Sequence, residues 1–272
     1  MRVDFHAHSK YSFDADEAPA SIAELAEAAI GRNLDAFAVT DHYDLFRKET
    51  PITCDIAAVQ TEIAAARQTY EGRVRILRGI ELGQPHASPA LARDLLDTFS
   101  FDLVIGSLHA MPNDLDLYFH DYDHLDCDAL LYDYFAQVLE MERFGDFDVL
   151  AHLDYPLRVM KRAGNEPSFS NFGEQIAPVL QEAVDRGYAL EINAASLFSW
   201  MEHPGPDQWI LKEFRRMGGE RISIGSDAHK AADLGRGVTE CIAWARQAGF
   251  DAVTMFRERQ PVQIRFTQEN KI

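Results

Sequence analysis

The chain holds only three cysteines, Cys54, Cys127 and Cys241, with no CxxC spacing among them. That excludes a disulfide framework and fits reduced thiols in a cytoplasmic protein. No apolar run approaches the roughly 18 residues that cross a bilayer, so no membrane partner is expected. The N-terminus has no basic segment leading into an apolar stretch, and no secretory signal is expected. No Gly-, Ser- or Pro-rich linker interrupts the 272 residues, which predicts a single domain over 1–272. Positive charge is scarce: 26 Lys and Arg face 44 Asp and Glu, a formal charge of −18. Such a surface repels phosphate backbones and disfavours nucleic acid as a partner. A small anionic substrate would need local compensation from metal ions or arginine.

Hydrophobic residues make up 47% of the chain and aromatics 11%, enough for a sizeable core. Apolar patterning alternates between two periods. Strands are predicted at 3–5, 36–40, 74–81, 103–108, 148–151, 188–192 and 221–225. Helices are predicted at 19–32, 55–70, 88–98, 128–144, 172–186, 208–217 and 238–248, with Pro19 in a first turn and Asp55 as a cap. Seven strands alternating with helices imply an α/β fold with a parallel sheet. Polar residues at the strand ends then share one rim, the catalytic face if the sheet closes into a barrel. The alternation alone does not decide closure.

Six of the ten histidines fall where a strand ends: His6, His8, His42, His109, His152 and His229. Glu81 and Asp227 do the same. A lone strand-end histidine is more often a surface or core residue than a ligand. So many at successive strands point to a metal centre of nitrogen and carboxylate donors, suited to zinc, iron or manganese. His6 and His8, at i and i+2, point to one face. His120 and His124 sit in an acidic loop, His203 precedes a proline, and His86 lies just past Glu81. None of these four has the strand-end context.

His6-Ala7-His8, Thr40-Asp41-His42, Gly79-Ile80-Glu81, Gly106-Ser107-Leu108-His109, Ala151-His152-Leu153-Asp154 and Gly225-Ser226-Asp227-Ala228-His229 follow one another in order. This series resembles the polymerase-and-histidinol-phosphatase (PHP) superfamily from residue 3 to about 237. Ser12-Phe13-Asp14, Glu81 to Pro85 and His152 to Tyr155 look like its histidinol-phosphate phosphatases. The resemblance implies a distorted (β/α)7 barrel with three divalent ions. One ion would be held by His6, His8, Glu81 and Asp227. A second would share Glu81 and add His109 and His152. The third would take Asp14, His42 and His229. Asp14 enters through the resemblance alone, since by itself it reads as a solvated loop acid.

Such a centre would hydrolyse a small phosphate monoester, with L-histidinol phosphate as the leading substrate and inorganic phosphate as product. Clustered divalent metals lower the pKa of a bridging water and neutralise phosphoryl charge, so a bridging hydroxide is the expected nucleophile. Glu81 would set the metal spacing. Arg158, expected in a rim loop, would grip phosphate oxygens. Asp154 would meet the substrate amino group or act as general acid. Asp41 would orient a ligand imidazole, and Asn193 would contact substrate. The alternatives are a PHP phosphoesterase of nucleotides or sugar phosphates, a polymerase-associated 3′ exonuclease module, and a metal-binding protein without turnover. No sequence feature sets the oligomeric state.

Overall fold

A computed structural model describes residues 1–15, 19–45, 51–111, 115–165, 168–199 and 201–266. Strands β1 (Val3–Asp4), β2 (Ala36–Val39), β3 (His42–Asp44), β4 (Arg75–Gly83), β5 (Leu103–Ser107), β6 (Val149–Leu150), β7 (Ala189–Asn193) and β8 (Ile222–Gly225) form one parallel sheet. The order is β1-β2-β4-β5-β6-β7-β8, and β3 also pairs with β4. β2 lies along the first half of β4, with Val39 opposite Arg78, and β3 along the second, with His42 opposite Glu81. The two short strands therefore act as one broken stave, and the sheet has seven staves. Phe5 N donates to Ile224 O at 2.8 Å, and Asp227 N donates to His6 O at 2.8 Å. A parallel bridge joins Ala7 to Ala228. These contacts close the ring between β1 and β8, giving a distorted (β/α)7 barrel.

Helices α1 (Ile22–Gly31), α2 (Ile56–Thr69), α3 (Pro89–Thr98), α4 (Cys127–Phe144), α5 (Tyr155–Arg162), α6 (Gly173–Arg186), α7 (Gln208–Arg216) and α8 (Val238–Gln247) accompany the staves. α1 starts at Ile22 rather than at Pro19, because Ser21 and Glu24 form a capping box. Asp55 caps α2 by accepting from Ala58 N at 3.0 Å. Leu25, Ala29, Val59 and Ile63 pack α1 and α2 together in one apolar cluster beside Phe37 and Val39 of β2. The larger cluster takes in β4 to β8 and the helices that follow them. Every residue of β5 is buried, as expected for a parallel sheet covered by helices.

Besides β3, which lies beyond the strand expected at 36–40, two segments differ from the sequence expectation. Residues 155–162, expected as a loop, form α5, which Pro156 starts and Leu157, Val159 and Met160 anchor in the core. β9 (Ala252–Arg257) and β10 (Gln260–Arg265) make an antiparallel hairpin after the barrel. Its turn residues Glu258 and Arg259 adopt φ of 48° and 62°. Tight hairpin turns of this hand ordinarily carry Asn or Gly, and Glu-Arg gave no such signal.

α4 buries one carboxyl away from the rim. Glu142 is 0% exposed, and neither of its oxygens has a hydrogen-bond partner. Burial, reinforced by Glu182, holds it well above the usual carboxylate value of 4.5. The unfolded chain releases this proton near that value, while the folded chain keeps it to higher pH. Stability is therefore lost as pH rises through the window, and replacing the carboxyl removes the loss. Glu142→Met is expected to raise stability by about 1–3 kcal/mol near neutral pH. Urea unfolding of both proteins at about pH 5 and about pH 8 checks this, because the gain must be larger at the higher value.

Candidate metal centre

The C-terminal ends of the staves converge on Glu81, which β4 carries into the barrel mouth with no exposed surface. Its Oε2 lies 3.1 Å from His6 Nε2, 3.5 Å from His8 Nε2 and 3.0 Å from His42 Nδ1. Its Oε1 lies 2.9 Å from His152 Nε2 and 3.1 Å from His109 Nε2. One carboxylate thus faces five imidazoles from four staves, His6 and His8 both following β1. Asp227 Oδ1 stands 3.3 Å from His8 Nε2 and 3.6 Å from His6 Nε2. At the outer edge, Asp14 Oδ2 lies 2.7 Å from His229 Nε2 and 3.4 Å from His42 Nε2.

Four groupings have donor atoms mutually within 4.8 Å: His8, Asp14, His42 and His229; His6, His8 and Glu81; His6, His152 and Asp227; and His42, Glu81 and His109. Together they contain all nine residues singled out from the sequence as candidate ligands. The groupings overlap more than the three separate sets suggested. His8 joins the outer one because its ring stacks between His42 and His229, with centroids 4.4 Å and 4.2 Å away.

The electrostatics follow from this crowding. Burial, then His229 and His42, push His8 down to about 3, so its ring is neutral. Burial opposes charge on His42 as well, but Glu81, Asp14 and Asp44 lift it to about 9. Burial would raise Glu81, yet the surrounding imidazoles, His42 and His6 foremost, hold it well below the carboxylate range. Asp227 is held down against burial in the same way, by His6 and His8. The site is a set of buried anions that positive charge must balance.

Backbone geometry serves the same convergence. Asp227 adopts a left-handed φ of 57°, a conformation that Asp tolerates better than most residues. Gly225 precedes this bend at the point of closest approach to β1. A Cβ there would meet His6 Cβ and lie 2.7 Å from Glu191 Oε1.

Two carboxylates that the sequence reading passed over touch the imidazoles. Asp44 Oδ1 accepts from His109 Nδ1 at 2.9 Å. Glu191 Oε1 accepts from His6 Nδ1 at 2.7 Å. A glutamate inside the apolar run of β7 was the available signal, because a buried acid needs a partner. Asp41, expected to orient an imidazole, instead binds Ser9 through its backbone N at 2.6 Å and its hydroxyl at 2.8 Å. The reason is strand alternation: His42 and Asp44 share a face, and Asp41 points the other way.

Arg158 projects from α5, not from a loop. It is buried, with Nη1 3.5 Å from Asp227 Oδ2 and Nε 3.9 Å from Asp154 Oδ2. Its Nε and Nη2 have no hydrogen-bond partner. Asp154 is buried too; Ser196 Oγ donates to its Oδ2, while Oδ1 is unpartnered. Asn193 is fully buried, and its Nδ2 donates to Glu191 Oε2 and Asp227 Oδ2, each at 3.2 Å. The other four histidines stand apart. His86 meets Gln137, His120 meets the Leu115 carbonyl, His124 meets Asp121, and His203 meets Asp207.

Gly225→Ala is expected to push His6 and Glu191 apart and cost about 1–3 kcal/mol, the usual price of overpacking. Urea unfolding measures the loss, and a stability equal to wild type would contradict the close approach.

Comparison with known proteins agrees with this architecture. A probable histidinol-phosphatase of Thermotoga maritima is 29% identical over 249 residues, covering 92% of this chain and 93% of the relative. The histidinol-phosphatase of Lactococcus lactis is 24% identical over 261 residues, covering 94% of each. A crystal structure of histidinol phosphate phosphatase from L. lactis, complexed with zinc, L-histidinol and phosphate, has the same fold. Its TM-score is 0.84 at 22% identity, over 96% of this chain and 98% of that one. The PHP domain matches residues 4–195, from β1 to just past β7. With that match and the ring of strand-end histidines around Glu81, the chain belongs to the PHP domain family.

Proposed function

We propose that this protein is a metal-dependent phosphatase that hydrolyses L-histidinol phosphate to L-histidinol and inorganic phosphate. One observation carries the reading: five imidazoles surround the buried carboxylate of Glu81, and a buried arginine with free N–H groups stands beside them. The names of the full-length relatives supply the substrate.

The donor set fits divalent cations. His6 Nε2, His42 Nδ1 and Glu81 Oε2 are buried without hydrogen-bond partners and face the shared centre. Nitrogen and carboxylate donors of this kind suit zinc, iron or manganese. Three ions are proposed, held by His6, His8, Glu81 and Asp227; by Glu81, His109 and His152; and by Asp14, His42 and His229. When bound, such ions lower the pKa of water and neutralise charge on phosphoryl oxygens.

The remaining roles fall to side chains. The planar guanidinium of Arg158 offers Nε and Nη2 to two phosphoryl oxygens, and Asp227 and Asp154 hold it in place. Asp154 keeps one carboxylate oxygen unpartnered beside that position. It suits the ammonium group of histidinol or delivery of a proton to the departing alkoxide. Asn193 spends its amide N–H groups on Glu191 and Asp227, so it acts by holding Asp227 rather than by touching substrate.

Three measurements test the proposal. Against a panel of monoesters, L-histidinol phosphate is expected to exceed a sugar phosphate and a nucleotide by at least about tenfold in kcat/KM. Equal rates would sink the substrate assignment and leave the phosphatase. Chelation should abolish turnover, and reconstitution should restore it near three metal equivalents; far fewer would refute the trinuclear centre. Arg158→Lys keeps the charge but loses the fork. It is expected to lower kcat/KM by about 10–100-fold, the equivalent of one charged hydrogen bond or two. Metal content should stay unchanged.

A further inference from the structure

Every stave of the barrel but one ends in a candidate metal ligand. β1 leads to His6 and His8, β3 holds His42, β4 holds Glu81, β5 leads to His109, β6 to His152, and β8 to Asp227 and His229. β7 ends in Glu191 and Asn193, and among the described residues neither belongs to any of the ligand groupings. Glu191 is nonetheless 1% exposed and fully engaged. Its Oε1 accepts from His6 Nδ1 at 2.7 Å. Its Oε2 accepts from the backbone N of His152 at 2.7 Å and from Asn193 Nδ2 at 3.2 Å. Asn193 Nδ2 reaches on to Asp227 Oδ2.

We infer that Glu191 is a positioning residue of the metal centre: it clamps ligands from β1, β6 and, through Asn193, β8 into one geometry, and it sets the tautomer of His6. The inference rests on the metal-centre reading above. A carboxylate only accepts hydrogen bonds, so His6 must carry its proton on Nδ1. The Nε2 lone pair is then left facing Glu81 and Asp227, where it has no hydrogen-bond partner. The same carboxylate ties that ring to the peptide of His152, whose own Nε2 faces Glu81. Gly225 leaves room for the arrangement, because a side chain there would strike both His6 and Glu191.

Glutamine at this position has the right size and the wrong valence. Its single oxygen can face His6 or the peptide of His152, but not both. Facing the peptide, it turns an NH2 toward His6 Nδ1 and moves the imidazole proton to Nε2, where it blocks coordination.

The test measures metal binding rather than turnover. Purified wild type and Glu191→Gln are stripped, titrated with zinc against a chromophoric chelator, and dialysed before metal analysis. The variant is expected to lose about 10–100-fold in affinity at one site and to retain one equivalent fewer. Glu191→Asp, which keeps the charge but shortens the reach, should fall between the two. An affinity for Glu191→Gln within about twofold of wild type overturns the inference. A wild type that takes up no zinc would instead sink the metal-centre reading itself. Should Glu191→Gln not fold, 15N-histidine NMR of zinc-loaded wild type decides. Protonated Nδ1 with metal-bound Nε2 on His6 supports the clamp, and the opposite tautomer overturns it.

Discussion

The barrel mouth is organised by the need to balance one buried carboxylate. Glu81 has no exposed surface, and an isolated carboxylate at such depth would be prohibitively costly. Five imidazoles answer that cost, arriving on four staves. The broken stave formed by β2 and β3 sets His42 directly opposite Glu81. The contacts between β1 and β8 bring His6 and Asp227 together although 221 positions separate them. Moving Glu81 would leave most of these rings without a reason for their positions.

Around that centre lies a second set of constraints, made of groups that face the ligands from behind. Asp44 holds His109, Glu191 holds His6, and Asn193 holds Asp227. Each determines which ring nitrogen or carboxylate oxygen looks inward, which decides whether a side chain can bind a cation at all. The same packing demands small residues at close approaches. A side chain at Gly83 would strike the Asp44 carboxylate, and one at Gly225 would strike His6. Arg158 belongs to this layer too, since Asp227 and Asp154 aim it across the mouth.

Much of the site was legible in the chain, for a local reason. A residue just past a buried parallel strand lands on the C-terminal rim whichever strand it follows, so the strand-end histidines, Glu81 and Asp227 could be placed without knowing the register. Asp14 could not, because it sits in a loop, and only its likeness to a family pattern pointed to it. Glu191 and Asp44 escaped notice for the opposite reason. Each is one acid within or beside a strand, and its importance lies in a partner 185 or 65 residues away. Asp41 misled because adjacency to His42 suggested contact, whereas adjacent strand residues face opposite sides. Residues 155–162 were read as a loop because the segment is short and follows a strand end, yet Pro156 starts a helix there.

By itself the sequence determined the alternation of strand and helix, the run of candidate ligands along it, and the acidic charge balance. These are properties of neighbouring residues, and periodicity and composition express them directly. The tertiary structure alone decided that the sheet closes, that His8 lies between His42 and His229, that Arg158 aims at Asp227 from a helix, and that β7 contributes a clamp. Those outcomes depend on register and ring orientation between strands far apart in the chain. Hydrogen bonds such as Phe5 to Ile224 establish them only once the barrel has formed.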